Sequence, residues 1–283
     1  MRKIIKSISL IIIGILIFEL NSTTVFAKAS GKTFRVNARC AIAMDKDTHK
    51  ILYQQNAHEI VPMASTTKIL TSLIAIEQGD PNKKVTISKN ASSVRGSKVG
   101  YKAGEEISLK ELIFGLMFRS GNDAAVAIAE SLGGSVENFA EIMNHYARGI
   151  GILDSHFETP HGLDKNEHYS TAYDLAILTS KGMDNKFFRE VVGSKEIKKE
   201  KYNFTRDYSN INKILWKIPG ANGVKTGYTG GAGKCLVSSV NKDGKDIIIV
   251  VLNCPDRWNV TEKIYKHVLE VSAFESLNIK ELI

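Results

Sequence analysis

Three groups of residues in this 283-residue chain have types and spacings suited to chemistry. In Ser65-Thr66-Thr67-Lys68 a hydroxyl is followed three residues later by an amine. On a helix those two side chains share a face, with Cβ atoms about 5–6 Å apart. An amine so placed can take the hydroxyl proton, and a serine needs such a base to become a nucleophile. A helix start adds unpaired N–H groups and the positive end of the helix dipole, both favourable to a developing oxyanion. Ser120-Gly121-Asn122 offers a hydroxyl and a carboxamide, and Lys225-Thr226-Gly227 an ammonium, a hydroxyl and a residue without a side chain. None of the three is specific alone. Ser-x-x-Lys recurs at Ser239–Lys242, where it flanks a turn, and Ser-x-Asn recurs at Ser88–Asn90 and Ser276–Asn278, whereas Lys-Thr-Gly occurs once. Singly, Ser65 and Asn122 also read as helix caps and Lys225 as a solvated strand lysine.

The flanking patterns say what must position these groups. Behind Ser65, Ile69, Leu70, Leu73, Ile74 and Ile76 follow a helical period, and Gly79-Asp80-Pro81 supplies the stop, so a helix of about four turns opens at Ser65. Before it, residues 39–44 and 51–54 read as strands around the polar turn Asp45-Lys46-Asp47-Thr48. Residues 81–184 read as helical. Ser108-Leu109-Lys110-Glu111 is a capping box opening a helix with Leu109, Leu112, Ile113, Leu116 and Met117 on one face. That helix ends at Ser120-Gly121-Asn122, an alanine-rich helix runs from about Asp123 to Gly133-Gly134, and Phe139, Ile142, Met143 and Tyr146 mark another. A long loop covers 157–169, and Thr171-Ala172-Tyr173-Asp174 caps a further helix. Strands return at 224–228, 235–240 and 247–252. The last is apolar on both faces and is expected at the centre of the sheet, and a final helix over about 260–269 covers it.

The expected fold is therefore α/β (α+β): an antiparallel sheet flanked by helices, with an inserted all-helical subdomain. Sheet residues come from about 33–80 and 185–283, helical ones from about 81–184, together forming a single catalytic domain over 28–283. A cleft is expected where the two parts meet.

Residues 1–27 read as a signal peptide: Arg2, Lys3 and Lys6, then an uncharged apolar run over 8–18, then Val25-Phe26-Ala27. An uncleaved anchor is the competing reading, but Glu19 and Asn21 end the run short of a full span. Its removal takes away Arg2, Lys3, Lys6 and Glu19, so the net charge of +8 becomes +6. A basic exported chain suits an anionic envelope surface, though a solvated surface explains the charge equally well. No basic cluster is interleaved with aromatics as in nucleic-acid binders. Cys40, Cys235 and Cys254 are too few for a disulfide framework, lack metal-ligand spacing and lie among apolar neighbours, so they read as buried thiols, with one oxidised pair left open.

Taken in order, the three motifs resemble those of the penicillin-recognising serine hydrolases. Within that group the chain resembles the low-molecular-weight penicillin-binding proteins, the serine D-alanyl-D-alanine carboxypeptidases. The resemblance runs through most of 38–258 and is carried by Ser120-Gly121-Asn122-Asp123-Ala124-Ala125, Pro160-His161-Gly162-Leu163-Asp164, Ser170-Thr171-Ala172-Tyr173-Asp174-Leu175 and Gly223-Val224-Lys225-Thr226-Gly227-Tyr228-Thr229. It implies a β-lactamase/transpeptidase-like fold and a stem-peptide substrate ending in D-Ala-D-Ala, with β-lactams as inhibitors and no metal or organic cofactor. It also implies roles. Ser65 attacks the carbonyl and becomes acylated; Lys68 is the general base, neutral through desolvation and a neighbouring cation such as Lys225; Ser120 passes a proton to the leaving amine. Asn122 holds the substrate amide, the N–H groups of Ser65 and Tyr228 form the oxyanion hole, and Gly227 lies on the same substrate-binding strand. Thr226 and Arg257 bind the terminal carboxylate, although Arg257 also reads as a surface residue. His161 and His168 sit in a loop that resembles a structural one and are given no chemistry. Many relatives continue into a β-rich domain and an amphipathic tail. This chain ends at Ile283, so a single catalytic unit is expected and membrane contact stays open.

Two other functions are weighed. A β-lactamase needs a carboxylate to position the deacylating water, and the Glu-x-x-Leu-Asn segment of class A enzymes is absent between Ser120 and Lys225. A non-catalytic wall-binding or β-lactam-sensing domain would be expected to have lost one of Ser65, Lys68, Ser120 or Lys225. Endopeptidase or transpeptidase activity depends on cleft shape and is not decided by these motifs.

Overall fold

A computed structural model describes residues 34–280. The expected signal peptide over 1–27 lies outside the described residues. Helices are labelled α1 to α7 and the strands of the main sheet β1 to β5 in chain order; shorter elements are named by residue.

Strands β1 (Cys40–Asp45) and β2 (Ile51–Gln55) form the expected hairpin. Strands β3 (Ala221–Thr229), β4 (Gly233–Lys242) and β5 (Lys245–Leu252) follow from the far end of the chain. They assemble into one antiparallel sheet of order β2-β1-β5-β4-β3. The run Ile247 to Leu252 does occupy the centre and is buried throughout. Ile248, Val250 and Leu252 join the main core with Cys40, Ile42 and Met44 of β1. On the other side, α7 (Arg257–Lys280) packs against β5 through a stripe that includes Val260, Ile264 and Val268.

Helix α1 (Lys68–Gln78) is preceded by a 3-10 turn, Ala64–Thr67, so Ser65 sits on the tight turn that starts the helix. An apolar stripe is the expectation from the sequence; in the structure every residue from Lys68 to Ala75 is buried. The polar ones among them need internal partners, and Thr71 Oγ1 donates to Pro160 O at 2.7 Å and Ser72 Oγ to Ile69 O at 2.8 Å.

Around α1 lie α2 (Leu109–Phe118), α3 (Asn122–Gly133) and α4 (Val136–Gly149). The stretch 81–184 is not purely helical, because Lys84–Thr86 and Glu106–Ser108 pair as a short ladder. Helix α5 (Ala172–Asp184) packs on β1 and β5, and α6 (Lys186–Gly193) on β3. The capping box at Ser108 is half made. Ser108 Oγ accepts from Glu111 N at 3.2 Å, but the Glu111 carboxylate turns inward to Thr205 and Tyr208. No helix among the described residues is long and apolar enough to cross a membrane.

Candidate active site

The fully buried Lys68 amine has three neighbours: Ser65 Oγ at 2.8 Å, Asn122 Oδ1 at 2.8 Å and His161 O at 2.6 Å. The Asn122 amide is oriented by its other end, since Nδ2 donates to Arg95 O at 2.7 Å. Its Oδ1 can therefore only accept, as can a backbone carbonyl. A neutral amine has two N–H bonds and one lone pair. If Asn122 and His161 take the two N–H bonds, the lone pair is left for the Ser65 hydroxyl. The surroundings also shift the balance toward the neutral form. Burial holds the Lys68 pKa well below the ordinary lysine range, Lys225 pushes the same way, and Asp123 opposes them.

Ser120 lies in the turn between α2 and α3 with φ +56°, a left-handed conformation that costs a non-glycine residue about 1–2 kcal/mol. The turn is held by Gly121 N donating to Gly115 O at 3.2 Å. It puts Ser120 Oγ 2.9 Å from Lys225 Nζ, which also donates to Thr226 O at 2.8 Å. Lys225 comes from the inner face of edge strand β3 and is itself buried. Burial, with the Arg257 charge behind it, brings its pKa down to about 7.

A cleft of about 220 Å³ is lined by Ser65, Ser97, Ser120, Ile211, Thr226, Gly227, Tyr228 and Arg257. It thus collects both serines and the end of β3. Strand and turn approach closely at Gly227, where an added Cβ would lie 3.1 Å from Ala64 Cβ and 3.2 Å from Ser65 N. Arg257 is not a free surface residue: its Nη1 donates to Gly227 O at 2.6 Å and Cys235 O at 3.0 Å. Tyr228 is 67% exposed, so its backbone rather than its ring belongs to the site. A larger cavity of about 540 Å³ touches Asn90, Glu130, Glu137 and His161 but neither serine, and the chemistry identifies the smaller cleft as the site.

The residues named from sequence therefore meet in one place: Ser65, Lys68 and Asn122 in one contact group, Ser120 and Lys225 in a second, and Thr226, Gly227, Tyr228 and Arg257 along the cleft. Sequence reasoning missed the backbone partners. The carbonyls of Arg95 and His161 carry no side-chain signal. The 157–169 loop is structural, as its resemblance implies, and its histidines act as supports. Glu158 N donates to His168 Nδ1 at 3.0 Å, so the other nitrogen bears the hydrogen and donates to Thr67 Oγ1, 2.9 Å away. Thr67 Oγ1 then donates to Ala64 O at 2.8 Å, bracing the turn of Ser65. Burial lowers both His161 and His168 to about 3, which keeps them neutral. Asp164 ties the loop to the end of β3, accepting from Thr229 Oγ1 at 2.6 Å and Gly231 N at 3.0 Å. Cys40, Cys235 and Cys254 are free, buried thiols whose pKa values burial raises. Among the described residues no cluster of His, Cys, Asp or Glu is placed to hold a metal ion.

A family model described as Peptidase_S11, D-alanyl-D-alanine carboxypeptidase, matches residues 25–256. The D-alanyl-D-alanine carboxypeptidase DacF of Bacillus subtilis (strain 168) is 37% identical over 261 residues, covering 87% of this chain and 65% of that protein. DacC of Escherichia coli (strain K12) is 35% identical over 266 residues, with 88% and 65% covered. The chain thus spans just under two thirds of the length of these relatives. The crystal structure of the Streptomyces K15 DD-transpeptidase superposes with TM-score 0.79 at 31% identity, covering 85% of this chain and all of that one. DacD of Francisella tularensis gives 0.75 at 30%, with 84% and 70% covered.

Proposed function

Because the chain belongs to the Peptidase_S11 family of D-alanyl-D-alanine carboxypeptidases, we propose that it is an exported serine D,D-carboxypeptidase that removes the terminal D-alanine from peptidoglycan stem peptides. The observation that carries this reading is the placement of the buried Lys68 amine, 2.8 Å from Ser65 Oγ and held by Asn122 Oδ1 and His161 O.

In the proposed reaction the Ser65 hydroxyl gives its proton to Lys68 as Oγ bonds to the carbonyl carbon of the penultimate D-alanine. The oxyanion lies against the N–H groups of Ser65 and Tyr228, where each donor is typically worth about 3–4 kcal/mol. The C–N bond then breaks and the leaving amine takes the proton from Lys68 by way of Ser120, which Lys225 holds at 2.9 Å, so that Lys68 is again neutral. Water then gives a proton to Lys68 as its oxygen bonds to the acyl carbon, and Lys68 passes that proton to Ser65 Oγ as the ester C–O bond breaks. Asn122 binds the substrate amide, while Thr226 and Arg257 receive the terminal carboxylate, for which a guanidinium is geometrically suited. A β-lactam carries a carboxylate beside a strained amide and would acylate the same serine. Export by the 1–27 segment would bring the enzyme to the outer face of the membrane or the wall.

The test is D-alanine release from a peptide ending in D-Ala-D-Ala, alongside intact-mass detection of a penicillin adduct. The mature chain from Lys28 should release D-alanine and form a slowly lost adduct, and Ser65→Ala should do neither. Release that persists in Ser65→Ala removes the nucleophile assignment. Rapid penicillin hydrolysis without an accumulating adduct would mean a β-lactamase, and an adduct without peptide cleavage a β-lactam-sensing domain.

A transpeptidase is the second reading, supported by the superposition over the whole length of the Streptomyces K15 DD-transpeptidase. Adding an amino-acid acceptor to the same assay separates the two. Conversion of the donor mainly to the exchanged peptide identifies a transpeptidase, and conversion mainly to the shortened acid a carboxypeptidase.

A further inference from the structure

Asp123 follows Asn122 in the first turn of α3 and is fully buried, yet the chemistry above does not use it. Its two carboxylate oxygens are filled by backbone donors. Oδ1 accepts from Val99 N at 3.0 Å and Ala124 N at 2.9 Å, and Oδ2 from Gly100 N at 2.8 Å and Tyr101 N at 3.2 Å. Three of these donors belong to one segment, residues 95–101. That segment holds Asn122 in turn, because Arg95 O accepts from Asn122 Nδ2 at 2.7 Å and Ser97 O from Asn122 N at 2.8 Å. It also brings Ser97 into the cleft wall beside Ser65 and Ser120.

The middle residue of the Ser120-Gly121-Asn122 turn is shaped to the same purpose. A Cβ on Gly121 would lie 2.7 Å from Asp123 Oδ1 and 2.7 Å from Val99 Cγ2. Only glycine lets the carboxylate and the segment it grips close over that turn.

We propose that Asp123 is a positioning residue for acylation at Ser65: its carboxylate clamps residues 95–101, and through them fixes the Asn122 amide against the Lys68 amine. A second consequence is electrostatic. The charged or titratable groups bearing on Lys68 are Lys225 from β3, His161 and His168 from the loop and Asp123 from α3, and Asp123 alone raises the Lys68 pKa. It sets how far the base is depressed, against Lys225.

The inference rests on Ser65 being the acylated nucleophile, and wild-type protein is the control for that. If the wild type forms no penicillin adduct and releases no D-alanine, the functional reading fails. If the wild type reacts and the Asp123 variants match it, only this inference fails. Asp123→Asn retains the shape, removes the charge and points an N–H at the backbone donors. It should acylate about 100-fold more slowly, the scale set by a displacement of about 1 Å near reacting groups. Without the anion the Lys68 pKa drops, so the half-maximal point of acylation against pH should move to lower pH. Asp123→Glu keeps the charge in a longer side chain and should be slow with the wild-type midpoint. Wild-type rate and midpoint in Asp123→Asn overturn the proposal, as does a slow Asp123→Asn whose midpoint has not moved. Should the variants not fold, amide hydrogen exchange on the wild type decides. Protected N–H groups at Val99, Gly100 and Tyr101 support the clamp, and exchange at open-loop rates overturns it.

Discussion

The cluster around Glu111 and the cluster around Lys68 each bury an ionisable side chain, but their partners differ. The Glu111 carboxylate accepts from Thr205 N at 2.9 Å, Thr205 Oγ1 at 2.5 Å and Tyr208 OH at 2.9 Å. Tyr208 OH meets Tyr101 OH at 2.7 Å, and Arg206 lies over the Tyr101 ring at 4.6 Å while bonding Glu105 at 2.9 Å. Anion, donors and cation are matched there, so the cluster joins α2 to the 195–210 segment as a fastening. Lys68 and Lys225 are two neighbouring buried amines with no carboxylate in direct contact. Charge is underbalanced, and that favours the neutral amine which the proposed base requires. The difference teaches that burial alone does not identify a reactive group. The fastening is saturated by matched donors, while the Lys68 amine meets the Ser65 hydroxyl at 2.8 Å with no anion in contact.

The largest effect should come from breaking the underbalanced side. Lys68→Met removes the base and should slow acylation about 10³-fold, or about 4 kcal/mol. Its effect on stability should be much smaller, because relief from a desolvated amine offsets the orphaning of Asn122 Oδ1 and His161 O, about 1–3 kcal/mol each. Penicillin acylation kinetics and thermal melting check the two halves. A Lys68→Met protein that acylates normally would end the distinction between the clusters. Next comes the fastening. Glu111→Ala should cost about 3 kcal/mol of stability, as expected when one partner of a buried charged network is removed. Acylation per folded molecule should stay within about threefold of wild type. A denaturant titration with active-site counting measures both, and an unchanged midpoint would show that the Glu111 network holds nothing together.

The clusters should also respond to pH with opposite sign. Lys225 has an ordinary value of 10.5 and lies at about 7 in the folded protein. Between those values the unfolded chain binds more protons, so stability should rise with pH by up to about 1.4 kcal/mol per unit, and the penalty is complete below about 7. Tyr101 and Tyr208 are displaced upward by burial. Their contribution is intact below the ordinary tyrosine value near 10 and is lost as pH rises above it. Unfolding midpoints from pH 6 to 11 should therefore climb and then fall. Lys225→Met should reduce the climb to the part that the depressed Lys68 supplies and leave the fall, and a climb unchanged by that substitution would contradict the assigned cause.

Much of this arrangement is legible in the sequence, and the gaps have a physical pattern. The apolar run 247–252 announces a central strand because both of its faces must be covered. Ser65 and Lys68 are found from helical spacing, and Ser120-Gly121-Asn122 from the end of one helical pattern and the start of the next. What cannot be read are contacts made by the backbone of distant segments. Nothing in Arg95 or His161 as residue types says that their carbonyls will orient Asn122 and Lys68. Glu111 misleads in an instructive way, because its position three residues after Ser108 has the spacing of a capping box. Its carboxylate instead binds residues about a hundred positions away, since two donors of Thr205 and the Tyr208 hydroxyl together outbid the one N–H of Ser108. Asp123 hides for the same reason, its ligands being N–H groups that any sequence would supply.

Tyr101 belongs to both clusters and offers the finest test of their separation. Its backbone N–H is held by Asp123, and its hydroxyl meets Tyr208. Tyr101→Phe removes only the hydroxyl. The ring can still stack under Arg206, Tyr208 keeps its bond to Glu111, and the grip of Asp123 on the backbone is untouched. One hydrogen bond between neutral groups is lost, so stability should fall by about 1 kcal/mol. If fastening and reactive site are separate devices, the acylation rate and its pH midpoint should match wild type within about twofold. A rate loss of about tenfold with that modest change in stability would mean that the Glu111 network reaches Lys68 through residues 95–101, and the two clusters would have to be treated as one.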